Sequence, residues 1–348
     1  MKCYRTVLKI KKLINNYGFF IFVFIIKLYL LTIIIFCICS YNKLKTDIYN
    51  ILYALICTET LKNKNEIIKK AKKPINKKFK SKIRQKNISK RSIDNKSTNS
   101  GQMITLGNYN HNNIVRIKKL LELKDFELDS LNYKDALKLD HRNYCQFYIS
   151  LLKNNHPLIF SFSCFNDYNS KIIKIFLFFF SFNLDLAINA LFFNDDTMHK
   201  IYEDKGKFNL LYQLPQIIYS TLIGRVIDSI IRYFALPQDN VVEFKQQKNK
   251  KNLQSKYKNL LYIIKIKIII FFVISFLVVI FLGYYIICFC GIYINTQSHL
   301  INDSIISLIT SIFYPFAMNI IPGIFRSISL RVKRPTRGYL YRFSMALS

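Results

Sequence analysis

IIKIFLFFFSFNLDLAINALFF, residues 172–193, decides the fold. At about 1.5 Å per residue this run is long enough to cross a hydrocarbon core of ~30 Å as one helix. Its polar residues are few. Lys174, Asp185 and Asn189 share a helical face, because eleven residues make close to three turns and four make about one. Most of the remaining surface is apolar, as in a membrane span. Lys174 lies near one end and can reach the interface. Asp185 is deeper and needs a partner.

Three further apolar segments follow, at about 210–236, 262–294 and 299–324. The first of these reads QIIYSTLIGRVIDSIIRYFAL after Pro215, a residue suited to the first helical position. Thr221, Arg225, Asp228, Ser229 and Arg232 fall on one face. Asp228 can pair with Arg225 three residues back or with Arg232 four residues on, which leaves one positive charge over. If 172–193 and 210–236 form an antiparallel hairpin, Asp185 and Arg225 lie at matching depth. An inter-helix Asp185–Arg225 ion pair is therefore expected. Such a pair can fix helix register, or it can belong to a polar track for an ion or a headgroup. In a third arrangement, 210–236 lies in the interface as an amphipathic helix. The last segment contains Pro315 and ends on Pro322–Gly323. This predicts a kink and then a stop, and makes the three residues hinge candidates.

Composition agrees with membrane spans joined by basic segments. Of 348 residues, 51% are hydrophobic, yet Lys plus Arg number 52 against 20 Asp plus Glu. Residues 1–16 are basic, and 17–40 form a long apolar run without a small-residue cleavage site, so a retained anchor is expected. Residues 41–113 read as a linker with a short amphipathic helix near Ile48–Cys57. Within it, 62–100 holds fifteen Lys or Arg against Glu66 and Asp94. So few apolar residues cannot offset the entropy of ordering, and disorder is expected. Such a run can touch anionic lipid headgroups. Nucleic acid is not the expected partner, since no stacking aromatics accompany the charge. Residues 114–171 read as a helical cytosolic cap, broken at His156–Pro157. Residues 325–348 form a second basic segment, a tail also suited to anionic lipid.

Orientation follows from where Lys and Arg fall. Loop 194–207 is acidic, loop 237–261 carries six Lys, loop 295–299 has no Lys or Arg, and the tail is basic. The alternation places the cap, loop 237–261 and the tail inside. The basic N-terminus prefers the same side and conflicts with the four-span pattern, so 17–40 is either an N-out span or an in-plane hairpin. The acids of 194–207 match no calcium loop, and the eight cysteines show no zinc spacing with histidine. Neither a metal nor any other cofactor is expected. No hydrolase elbow, P-loop, metalloprotease or dinucleotide motif is present, so the chain is not read as an enzyme.

DFELDSLNYKDALKLDHRNYCQFYISLLKNNHPLIFSF (125–162), NALFFNDDTMHKIYED (189–204) and YPFAMNIIPGIFRSISLR (314–331) carry a further signal. Over about 125–331 the chain resembles a group of multi-pass protist membrane proteins of unknown activity. The resemblance implies that cap and four spans form one module, and it implies no activity. The sequence thus predicts an all-α integral membrane protein with an N-terminal membrane anchor, a helical cytosolic cap and a four-span C-terminal helical bundle. A membrane scaffold or assembly subunit is the expected role. The alternative is a channel- or transporter-like protein with its polar site at Asp185 and Arg225.

Overall fold

The structure is a computed structural model that describes residues 14–71, 117, 120–163, 165, 167–207, 209–247, 252–331 and 338–347. All regular structure among the described residues is helical. Five helices are long and apolar enough to cross a membrane, one of them near the N-terminus and four toward the C-terminus. The chain is an integral, multi-pass α-helical membrane protein. It divides into two units, Met1–Tyr49 with Leu123–Ser348, and Asn50–Glu122.

Helix α1 (Tyr17–Ile35) starts at Asn16, whose side chain accepts from the Phe19 N–H at 3.0 Å. The same side chain donates to the Ile287 carbonyl at 2.8 Å. Further along, the Tyr29 hydroxyl donates to the Phe272 carbonyl at 2.8 Å. These two bonds set α1 antiparallel to the helix that contains Ile287 and Phe272. Gln297 closes the same end, donating to the Asn15 carbonyl at 3.0 Å and accepting from the Tyr17 N–H at 3.2 Å. Of the two arrangements open to 17–40, the fold adopts the span. Its N-terminal end lies beside the 295–299 loop.

After a π-helical turn (Phe36–Ser40) the chain continues as α2 (Tyr41–Ala71). Residues 41–71, expected as the start of a linker with only a short helix near Ile48–Cys57, are therefore helical throughout. Leu44, Ile48, Ile51, Leu52 and Leu55 are buried at three- and four-residue spacing, which a coil could not present on one side. In the second unit Ala54, Cys57 and Ile117 form a small core with Leu120 and Leu121 against it. The expected disorder over 72–113 lies outside the described residues, as do most of the basic N-terminus, the side chains of the linker's basic run, and tail residues 332–337.

The cap is four short helices, α3 (Asp125–Asp129), α4 (Tyr133–Leu139), α5 (Tyr144–Asn155) and α6 (Pro157–Phe162). Their ends are written in the sequence. Asn132 accepts from the Asp135 N–H at 2.9 Å, and Asn143 and Gln146 bond each other's backbone at 2.8 and 3.0 Å. His156 ends α5 and caps α6, with its Nδ1 accepting from the Ile159 N–H at 3.3 Å and Pro157 in the first turn.

The bundle follows as α7 (Lys171–Phe192), α8 (Asp195–Glu203), α9 (Leu210–Ala235), α10 (Gln238–Gln246), α11 (Leu253–Ile292), α12 (Gln297–Met318), α13 (Ile320–Arg331) and α14 (Gly338–Leu347). Helix α7 is central and packs on α1, α9, α11 and α12. Three boundaries differ from the sequence reading. Asn209 caps α9, so Pro215 lies inside that helix and not at its start. Helix α11 begins at Leu253 and, with 40 residues, is ~60 Å long, more than a bilayer core requires. Helix α12 stops at Met318, and α13 then runs through Pro322–Gly323 without ending there. Gly323 answers to packing, since a Cβ at that position would meet the Tyr144 ring at 2.8 Å. Helix α13 packs on α14 and on the cap helix α5. Arg326, read as part of a lipid-facing tail, is only 1% exposed.

Candidate functional site

Two kinds of buried polar cluster occur in the first unit. One kind joins the cap to α10 and α13. Glu127 is fully buried and pairs with Lys245 at 2.7 Å, with the Tyr168 hydroxyl donating to its other oxygen at 2.9 Å. Burial, then the Glu127 charge, pushes the Tyr168 phenol up. Arg326 donates to Asp140 at 2.8 Å and to the Leu128 carbonyl at 2.7 Å. Arg142 bonds the other Asp140 oxygen at 2.8 Å and reaches Asp129 at 2.8 Å. Burial works against an ionised Asp140, but bonds from Arg142 and Arg326 outweigh it and hold the carboxyl below the usual range.

The other kind lies between the spans α7, α9 and α12. At the cap end Arg232 pairs with Asp228 at 2.6 Å, and Ser181 donates to the second Asp228 oxygen at 2.6 Å. One turn deeper, Arg225 donates to the Ser311 carbonyl at 2.9 Å. The reason is Pro315. A helical carbonyl is normally bonded by the N–H four residues later, and proline has none, so the Ser311 carbonyl is freed for Arg225. Asp185 lies at the same level against Gly224, where a Cβ would overlap its carboxylate. Asp185, Arg225, Gly224 and Ser311 line one cavity of about 20 Å³.

Beyond Asp185 the line continues through buried and half-buried groups. Asn189 donates to Ser307 at 3.1 Å and to Ser304 at 3.4 Å, and accepts from Ser220. Gln216 donates to one oxygen of Asp303 at 3.3 Å. The second oxygen of Asp303 and the side-chain oxygen of Gln213 have no hydrogen-bond partner among the described residues. From Arg232 to Gln213 the line covers ~28 Å of α9, close to the thickness of a hydrocarbon core. At the cap end it opens into a cavity of about 540 Å³ whose wall includes Arg225, Asp228 and Arg232.

The residues singled out in sequence separate into two groups. Asp185, Asn189, Arg225, Asp228 and Arg232 come together along this line. Asp185 and Arg225 share a cavity at matching depth, but Arg225 bonds the Ser311 carbonyl, and no ion pair joins it to Asp185. Thr221 and Ser229 bond carbonyls of their own helix, Ile217 at 2.7 Å and Arg225 at 2.8 Å, and stay out of the network. Pro315 acts by freeing a carbonyl, and the helix break falls at Asn319. The sequence reading passed over Ser181, Gln216, Asp303, Ser304, Ser307 and Ser311. Their signal was present, since 303, 307 and 311 recur at four-residue spacing on one face of an apolar helix. Among the described residues no group of His, Cys, Asp and Glu is arranged to hold a metal.

No protein-family model matches the chain, and neither does a characterised protein or a solved structure. The fold and the site define its class as a multi-pass α-helical protein with buried charged and polar side chains bonded to one another beside its spans.

Proposed function

We propose that the chain is channel- or transporter-like, and that the polar line between α7, α9 and α12 is its path. One observation carries this reading. Buried polar side chains follow one another through the thickness of the spans, and two of them, Asp303 and Gln213, keep an oxygen without a partner among the described residues. Unsatisfied polar groups are costly in such surroundings, and ionisable residues inside a membrane are characteristic of ion and substrate pathways. A scaffold gains nothing from them and would be expected to hold the same residues paired throughout. The cap belongs to the same device on this reading, because Asn154, Asn155 and Phe160 help to line the wide cavity.

The test is flux in liposomes reconstituted with the purified chain. Small cations, anions and polar solutes should cross faster than in empty vesicles. Asp185→Asn and Asn189→Leu should each remove at least about nine-tenths of that flux. Equal flux in wild type, variants and empty vesicles would sink the proposal and return the scaffold.

A further inference from the structure

We infer that the cavity of about 540 Å³ at the cap end is a site for the headgroup of a phospholipid that carries both a phosphate and an amine. The volume falls in the range of ordinary ligand pockets. Its chemistry is two-signed. On the donor side, Arg225 spends one of its five N–H groups on Ser311. The Asn319 Nδ2, on a residue only 3% exposed, has no partner among the described residues. A phosphate satisfies both. On the acceptor side, the buried Asn169 Oδ1 lacks a donor among the described residues, and Asp239 lines the same cavity with a carboxylate. An ammonium satisfies both. A simple anion would leave the acceptors unmet, and a simple cation would leave the donors unmet.

The rim indicates that the ligand is a lipid and not a free solute. Tyr233 of α9 and Tyr314 of α12 border the cavity and are 62% and 45% exposed. Both lie near the cap ends of spans, at the depth where tyrosine favours the boundary between headgroups and hydrocarbon. A headgroup in the cavity would leave its acyl chains beside these rings, in the bilayer. The inference rests on the proposed path for its purpose, since the site stands at that path's mouth. Binding, however, is measured without transport, so loss of flux and loss of lipid are separate results.

The experiment is retention of defined lipids by the purified full chain in detergent, read by native mass spectrometry. Phosphatidylethanolamine should be held about tenfold more tightly than diacylglycerol with the same acyl chains, and more tightly than phosphatidylglycerol. Asn319→Leu should weaken it about tenfold, the worth of one hydrogen bond to a charged group. Asp239→Asn, a change at an exposed position that leaves the fold intact, should narrow the gap to phosphatidylglycerol. Diacylglycerol held as well as phosphatidylethanolamine would overturn the inference. So would equal binding of phosphatidylglycerol, no effect of either variant, or displacement by free phosphoethanolamine at the concentration at which the intact lipid competes.

Discussion

The cap clamp and the intramembrane line are both buried and both charged, yet they are finished to different degrees. Around Arg326 each strong donor meets an acceptor, Asp140 and the Leu128 carbonyl among them, and Glu127 takes bonds from Lys245 and Tyr168. Between the spans Asp185 sits against a glycine without an ion pair, and Asp303 has an oxygen to spare. Water can help to satisfy a polar group at the membrane surface, but not in hydrocarbon, so the incomplete cluster stands where incompleteness costs most. A feature kept at that cost points to use, whereas a saturated cluster points to assembly.

The sharpest way to break the contrast is at the clamp. Arg326→Met leaves a buried carboxylate and carbonyls without their donor, and should lower unfolding stability in detergent by about 3–5 kcal/mol. A loss below about 1 kcal/mol would mean that the clamp is no more structural than the line. Arg225→Gln comes next, at about 1–3 kcal/mol, through the orphaned Ser311 carbonyl. Pro315→Ala restores an N–H to that carbonyl, so the Arg225→Gln loss should shrink in its background. A double-mutant cycle with no coupling would refute this account of Arg225. Asp185→Asn should change stability by less than about 1 kcal/mol, since no ion pair is broken. A larger loss by chemical denaturation would move Asp185 to the structural side.

The smallest effect concerns pH. Burial, and then the charge of Arg225, hold the His156 imidazole below its ordinary value of 6.5. The unfolded chain therefore binds the proton first. Stability should fall as pH drops through 6.5 and level off below the folded-state value. His156→Asn, which can still cap α6, should flatten that slope in melting curves taken between pH 8 and pH 5.

The spans, the cap and the depth match of Asp185 with Arg225 were legible because a period of 3.6 and a bilayer thickness turn residue spacing into position. The partner of Arg225 was not legible. Pairing charge with charge is natural along a sequence, but a carbonyl freed by a proline on a third helix is visible only once that helix is in place. Asp303 was hidden by serines, whose hydroxyls are mild enough to pass as span filler. The short helix expected near Ile48–Cys57 is part of a longer one, Tyr41–Ala71, whose extension into the basic residues average composition conceals.

The antiparallel seam between α1 and α11 also has a consequence in time. Asn16 bonds Ile287, 271 residues later in the chain. Ribosomes add about 5–20 residues per second, so roughly 14–54 s separate the synthesis of the two partners. During that interval the first helix lacks its α11 partner, and the Asn16 side chain, at the helix end, can be served by water. The earliest-made span thus waits for α11 before this seam can close.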